Sequence, residues 1–183
     1  ASDALLTSAS GTHAACLAES ALAMILAFTR GIRDSILAQP KHEWAIRQIR
    51  PKLVELTGST MGIIGLGRVG RALAKRAAAF DMRVIAVDAY PGNKPESVEE
   101  LWNLDGLDEL LKQSDYIVVT VPRTPETIGM IGTEQIALMK PTTILVGISR
   151  GGIIDQEALA STLREDQIAA AATDAAKPEA LPP

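Results

Sequence analysis

The segment from residue 60 to residue 70 constrains the fold of this chain more than any other. It reads TMGIIGLGRVG, an apolar run followed by glycines spaced G-x-G-x-x-G. A short apolar run bounded by glycine predicts a buried strand, and the residues after the turn have the spacing of an amphipathic helix. A glycine-rich turn between a strand and a helix can hold phosphate groups against its backbone. The segment therefore predicts a dinucleotide-binding domain.

Each glycine of this turn has its own physical role. Gly65 permits the tight turn out of the strand, Gly67 lets a pyrophosphate approach the backbone, and Gly70 lets the helix pack closely on the strand. The helix N-terminus adds free N–H groups and a partial positive charge. The cofactor-binding residues predicted here are Gly65, Leu66, Gly67, Arg68, Val69 and Gly70.

Asp88 supplies the second half of the motif, 18 residues beyond Gly70 at the end of the next predicted strand. A carboxylate at this distance can accept hydrogen bonds from the adenosine ribose hydroxyls. It would repel the 2′-phosphate of NADP, and neither Ala89 nor Tyr90 offers a compensating positive charge. The predicted cofactor is therefore NAD.

Strand and helix patterns alternate from Thr60 onward. Near-continuous apolar strands are typical of a parallel sheet covered by helices on both faces. We therefore expect an α/β fold, a Rossmann-type doubly wound parallel sheet. The predicted strands are 60–65, 83–88, 115–121, 142–148 and 168–173, and the predicted helices are 68–80, 106–113, 133–139 and 155–164.

The first 58 residues have a different pattern. Apolar residues at helical spacing predict one long helix over residues 14–37, with Thr12 as its cap. Cys16 is expected to be a small buried side chain. Residues 38–58 are expected to be irregular, with Trp44 as the main apolar anchor. The basic cluster of this segment is interpreted as a solvated loop that packs on a partner subunit, with phosphate binding as the alternative. It comprises Lys41, Arg47, Arg50 and Lys52.

Composition argues against nucleic-acid and membrane partners and indicates a cellular compartment. The net charge of −4 argues against a nucleic-acid-binding surface. No run approaches the roughly 18 consecutive apolar residues of a membrane span. A single cysteine cannot form an internal disulfide, which favours a reducing, cytoplasmic location.

The runs LTGSTMGIIGLGRVGRALAKRAAAFDMRVIAVDAYP and LDELLKQSDYIVVTVPRTPETIGMIGTEQIALMKPTTILVGISRGGIIDQEAL resemble the D-isomer specific 2-hydroxyacid dehydrogenase family, which includes the D-3-phosphoglycerate dehydrogenases. The similarity covers nearly the whole chain. It implies an NAD-dependent oxidoreductase acting on small 2-oxo or 2-hydroxy acids. It also implies a homodimer formed through the long helix and the Trp44 segment. No metal ligand is assigned.

The resemblance also implies site residues. Arg150, in the run SRGG, matches the arginine that binds the substrate carboxylate, although by its surroundings alone it would be a surface arginine. Glu179 matches the glutamate that pairs with a catalytic histidine, but a solvated loop charge is the alternative. Asp174 matches a contact to the nicotinamide carboxamide. Further cofactor contacts are implied at Val121, Pro122, Thr127, Ile148 and Ser149.

The chain departs from the family in one important respect. Its two histidines, His13 and His42, do not match the catalytic position, which in the family lies beyond the glutamate. Residues 1–183 are therefore interpreted as the NAD-binding domain of a longer two-domain enzyme, without the substrate domain. The alternative is an NAD-sensing regulatory module of the same fold, similar to a transcriptional corepressor. The sequence downstream would discriminate between them, since a Pro-His pair at a strand end supports chemistry.

Overall fold

The computed structural model describes Thr7, Ala9 and residues 11–176. Its centre is a six-stranded sheet in the order β3-β2-β1-β4-β5-β6, and every neighbouring pair is parallel. The strands are β1 Thr60–Ile64, β2 Arg83–Val87, β3 Glu100–Trp102, β4 Tyr116–Val119, β5 Ile144–Gly147 and β6 Ala170–Thr173. The helices are α1 Ala14–Thr29, α2 Ile32–Ala38, α3 Ile46–Ile49, α4 Arg68–Ala78, α5 Leu107–Gln113, α6 Thr133–Ala137 and α7 Gln156–Arg164.

Helices cover both faces of the sheet, because alternate side chains of each strand point to opposite sides. On one face, Ile63 of β1 and Val118 of β4 pack in a core with α1 and α4. On the other face, Ile64 and Val119 pack with α5, α6 and the loop before α7. This is the doubly wound α/β fold that the strand patterns predict.

The predicted strands and helices after Thr60 are confirmed, and each is one to three residues shorter in total than predicted. Strand β3 was not predicted. It has only three residues, all half-buried, and the sequence EELW carries no apolar run that would mark it. Phe80, the last residue of the predicted helix 68–80, is not helical, because the helix ends at Ala78, and its side chain is 39% exposed.

The prediction of one helix over residues 14–37 is wrong. The helix stops at Thr29, and α2 starts at Ile32 after a bend of 64° between the two helical segments. Gly31 lies at the bend with φ 65°, in the left-handed region that side chains disfavour. Apolar spacing continues across the bend, which is why periodicity alone does not reveal it.

Two expectations about the start of α1 are also wrong. His13, not Thr12, is the N-cap residue, and the Thr12 hydroxyl instead donates to the carbonyl of Ala9 at 2.7 Å. Cys16 is exposed and donates to the carbonyl of His13. The buried stripe of α1 includes Ala18, and a residue two positions earlier on a helix points about 200° away from it.

The segment between α2 and β1 is less irregular than expected, since it contains α3 and two turns of 3-10 helix, at Gln39–Lys41 and Arg50–Lys52. Trp44 is 88% exposed, so it does not anchor this segment to the core. The four basic side chains of the segment are exposed, as predicted.

Within the described residues, no single helix has the length and apolar character needed to cross a bilayer. Only the bent pair Ala14–Thr29 and Ile32–Lys41 reaches that length and composition when counted together.

Candidate functional site

The glycine turn joins β1 to α4 and has the geometry that its three glycines suggest. Gly65 has φ +96°, and a Cβ there would lie 2.8 Å from Val121 Cγ1. A Cβ on Gly70 would lie 2.2 Å from the carbonyl oxygen of Gly65, so the helix can approach the strand only with glycine here. Nothing lies within 4 Å of the corresponding position on Gly67. The backbone at Gly67 is therefore open to a ligand.

Asp88 follows β2 and its carboxylate is fixed by the backbone. One oxygen accepts from the N–H of Leu66 at 2.7 Å, and the other accepts from the N–H of Tyr90 at 2.9 Å. Asp88 is half-buried, and its bond to Leu66 places the carboxylate beside the glycine turn. The Leu66 side chain packs in the core, so only its backbone takes part in the site.

Thr120 is a site residue that the sequence interpretation missed. It directly follows β4, and its hydroxyl donates to the carbonyl of Gly65 at 2.5 Å. Strands β1 and β4 are the neighbours at which the strand order reverses, the place where open α/β sheets bind ligands. The sequence feature that could have identified Thr120 is a hydroxyl side chain immediately after an apolar strand.

A cleft of about 760 Å³ opens at the carboxyl ends of β1, β4 and β5. The glycine turn forms one side through Gly67, Arg68 and Val69, the loops after β4 and β5 form another, and Gly11 and Leu17 of the N-terminal segment complete the lining. Because parallel strands end at the same edge of the sheet, these three loops meet although they are far apart in sequence.

Arg150 lines this cleft from the loop after β5, together with Ile148 and Ser149. The Arg150 side chain is exposed, and its guanidinium donates to the carbonyl of Ser149 at 2.7 Å. A guanidinium in this position can make bidentate hydrogen bonds to a carboxylate.

The loop after β4 is held in shape by Thr127. Its hydroxyl donates to the carbonyl of Pro122 at 2.7 Å and accepts from the N–H of Thr124 at 2.8 Å. Pro122 lines the cleft, whereas Val121 packs against the second core and the Gly65 turn. In this structure, Thr127 shapes the loop and does not line the cleft.

Asp174 lies one strand further along the same edge, and its N–H donates to the carbonyl of Gly147. Partial desolvation raises the pKa of the Asp174 carboxyl, while a backbone hydrogen bond and the charge of Arg150 oppose the rise. Glu179, the other residue assigned to catalysis, lies outside the described residues.

The structure thus brings together most of the predicted site residues. The cleft is lined by Gly67, Arg68, Val69, Pro122, Ile148, Ser149 and Arg150. Among the other predicted residues that the structure describes, Gly65, Leu66, Gly70, Val121 and Thr127 shape the turn and the loop behind the cleft, and Asp88 and Asp174 lie beside it. His13 caps α1 and His42 is exposed in a left-handed conformation outside the cleft.

The site accommodates a dinucleotide on structural grounds. The backbone at Gly67 is unobstructed, the N-terminus of α4 faces the cleft, and Asp88 lies at the end of the neighbouring strand. Backbone N–H groups and the helix dipole suit a pyrophosphate, and a carboxylate suits ribose hydroxyls. Fold and site together define a Rossmann-type dinucleotide-binding domain.

The family follows from comparison with known proteins. Residues 22–183 match the family described as D-isomer specific 2-hydroxyacid dehydrogenase, NAD binding domain. The chain belongs to this family and represents its NAD-binding domain.

Similar proteins have related descriptions. The chain is 42% identical over 161 residues to D-3-phosphoglycerate dehydrogenase of Methanocaldococcus jannaschii, covering 86% of this chain and 30% of that protein. It is 42% identical over 163 residues to glyoxylate reductase of Thermococcus onnurineus, covering 86% of this chain and 48% of that protein. The chain therefore spans less than half the length of either relative.

Solved structures agree in fold. Phosphoglycerate dehydrogenase from Lactobacillus plantarum superimposes with a TM-score of 0.85 at 33% identity, covering 94% of this chain and 55% of that one. NAD-dependent formate dehydrogenase from Staphylococcus aureus, solved in complex with NAD, superimposes with a TM-score of 0.85 at 28% identity. The match covers 94% of this chain and 52% of that one.

Proposed function

We propose that this chain is the cofactor-binding part of an enzyme that interconverts D-2-hydroxy acids and 2-oxo acids with NAD. The observation that carries the proposal is that the glycine turn and Arg150 line the same cleft at the carboxyl edge of the sheet. One side of this cleft suits a pyrophosphate and the other suits a carboxylate. When bound, NAD supplies the hydride acceptor of such a reaction, and NADH the donor.

The residues of this chain have separable tasks in the proposal. The turn at Gly67 and the N-terminus of α4 bind the phosphates, and Asp88 binds ribose hydroxyls and disfavours a 2′-phosphate. Arg150 holds the substrate carboxylate by a bidentate contact, which orients the carbon that reacts. Glu179 is proposed to pair with a histidine supplied by the remainder of the enzyme, because a nearby carboxylate favours the protonated imidazole.

Arg150 in the cleft supports an enzyme over an NAD-sensing regulatory module. A module that only senses the cofactor needs the glycine turn and Asp88, but it has no use for a guanidinium placed to bind an acid. The relatives named as dehydrogenases and reductases agree with this choice.

Cofactor titration tests the proposal directly. The 183-residue chain should bind NADH, measured by calorimetry, and should bind NADPH more weakly because of Asp88. It should not oxidise NADH with glyoxylate or other 2-oxo acids, since the proton donor is assigned to residues beyond it. Equal affinity for the two cofactors would contradict the role of Asp88, and no affinity for either would contradict the proposal.

We also propose that the protein forms a homodimer through α2, α3 and the loop that follows. Apolar side chains that are 44–88% exposed cluster there, and an exposed patch of this kind marks an interaction surface. They are Ile32, Ile36, Leu37, Trp44, Ile46 and Val54.

A cytoplasmic location and the absence of nucleic-acid and membrane partners complete the proposal. The single cysteine and the net charge of −4 support them. Cell fractionation, with recovery of the protein in the soluble fraction without high salt, is the measurement that checks them.

A further inference from the structure

Three arginines line the cofactor cleft, and each comes from a different strand end. Arg68 follows β1, Arg123 follows β4 and Arg150 follows β5. These strands are consecutive in the sheet, so Arg123 comes from the middle position. Among the described residues that line the cleft, none carries a carboxylate. The cleft is thus locally cationic in a chain whose net charge is −4.

The proposed function gives a task to two of these side chains but not to Arg123. Arg68 belongs to the phosphate turn, and Arg150 is assigned to the substrate carboxylate. Arg123 is exposed, and within the described part of the chain its guanidinium has no hydrogen-bond or ion-pair partner.

The backbone on both sides of Arg123 is fixed. The Thr127 hydroxyl binds the carbonyl of Pro122 on one side and the N–H of Thr124 on the other. Proline also restricts the backbone immediately before Arg123. The loop therefore presents the arginine at the cleft from a rigid base, which reduces the entropy lost when a ligand is bound.

We propose that Arg123 is an additional anion-binding residue of this cleft and binds a phosphate or carboxylate group of the ligand. The inference rests on the proposed function, which places a dinucleotide and an organic acid in the same cleft. A planar guanidinium suits either group, because both present pairs of oxygen atoms to its N–H donors. The anion is either the cofactor pyrophosphate or a second acidic group on the substrate.

The first arm of the test measures how Arg123 affects binding of the pyrophosphate. ADP-ribose carries the pyrophosphate without the nicotinamide, and its affinity is measured by calorimetry for the wild-type chain, Arg123→Gln and Arg164→Gln. Arg164 is a matched control, since it is an exposed arginine at the end of α7, outside the cleft. Loss of a charge-assisted hydrogen bond predicts about tenfold weaker binding for Arg123→Gln alone. The difference should shrink at high ionic strength.

The second arm measures the affinity for the substrate anion by calorimetry, with NADH saturating. Glyoxylate presents one carboxylate and oxaloacetate presents two. If Arg123→Gln weakens oxaloacetate binding about tenfold but leaves glyoxylate and ADP-ribose unchanged, Arg123 binds the second acidic group of the substrate. Arg123→Lys keeps the charge without the planar fork and should give an intermediate loss in whichever arm responds.

The outcomes separate this inference from the proposed function. If the wild-type chain binds neither NADH nor ADP-ribose, the proposed function fails. If it binds ADP-ribose and Arg123→Gln matches Arg164→Gln in both arms, the role of Arg123 is overturned. Thermal unfolding followed by circular dichroism checks that the variants are folded, and the exposed position of Arg123 predicts no change in Tm.

Discussion

The Asp88 carboxylate accepts a hydrogen bond from the Leu66 N–H at 2.7 Å, which ties the end of β2 to the glycine turn after β1. The same carboxylate binds the N–H of Tyr90 through its other oxygen. Asp88 therefore shapes the cofactor loop through hydrogen bonds within the protein. In the proposed function it also contacts the ribose, so its replacement should affect stability and cofactor choice together.

Asp88→Ala should lower the free energy of unfolding by about 1–3 kcal/mol, because two backbone N–H groups lose a charged acceptor. Asp88→Asn keeps a carbonyl oxygen as acceptor, so its free energy of unfolding should fall by less. Both variants should bind NADPH better relative to NADH than the wild type does. Denaturant unfolding and calorimetric titration give the two quantities.

Glu55→Ala is the control for that experiment, because Glu55 is an exposed carboxylate in a loop away from the cleft. It should leave unchanged both the free energy of unfolding and the ratio of the affinities for NADH and NADPH. An Asp88→Ala protein with the stability of Glu55→Ala would show that the bond to Leu66 contributes little.

Two glycines of the turn should respond differently to the same substitution. Gly70→Ala places a Cβ 2.2 Å from the Gly65 carbonyl oxygen, so the turn must distort, and both Tm and NADH affinity should fall. Gly67→Ala meets nothing within 4 Å and should keep the wild-type Tm. It should still weaken NADH binding, because its methyl group faces the proposed phosphate position. A normal NADH affinity in Gly67→Ala would place the pyrophosphate elsewhere.

Tyr116 should make the protein sensitive to alkaline pH. Burial raises the pKa of its phenol above the usual 10.0, and the charge of Asp115 adds to the rise. The folded state therefore holds this proton more tightly than the unfolded chain, so stability should fall as pH rises above about 10. Tyr116→Phe should lose less stability over the same pH range in denaturant unfolding.

Spectrophotometric titration provides an independent measurement, since the chain has only two tyrosines. In a Tyr90→Phe variant, the tyrosinate absorbance reports Tyr116 alone, and its midpoint should lie above 10.0. A midpoint at or below 10.0 in the folded protein would contradict the burial of this phenol.

The exposed apolar residues of α2 and the following loop should mediate dimer formation. Ile36 is 59% exposed and Trp44 is 88% exposed. Ile36→Asp should convert a dimer to a monomer in light scattering, because a buried charge at an interface is costly. Ile128→Asp, at an isoleucine that is 52% exposed in the loop after β4 and outside this region, should leave the mass unchanged. A monomeric wild-type chain would contradict the proposed interface.

Sequence patterns predicted the central sheet because its strands are continuous apolar runs that local spacing can reveal. They failed where burial depends on which neighbour a residue meets. Cys16 and Trp44 were expected to be buried and are exposed, since an apolar residue type does not by itself show which side of a helix or loop meets the core. Strand β3 escaped prediction because it forms only by pairing with β2.

The sequence by itself determined the glycine turn, Asp88 as its partner, and the alternation of strands and helices, because each depends on residues close together along the chain or on a motif of fixed spacing. Only the tertiary structure decided that Thr120 holds the Gly65 carbonyl and that Arg123 shares a cleft with Arg150. These residues meet because the strand order places β4 between β1 and β5, with all three ending at one edge. Side chains contributed by separate strands become neighbours only when the sheet has formed.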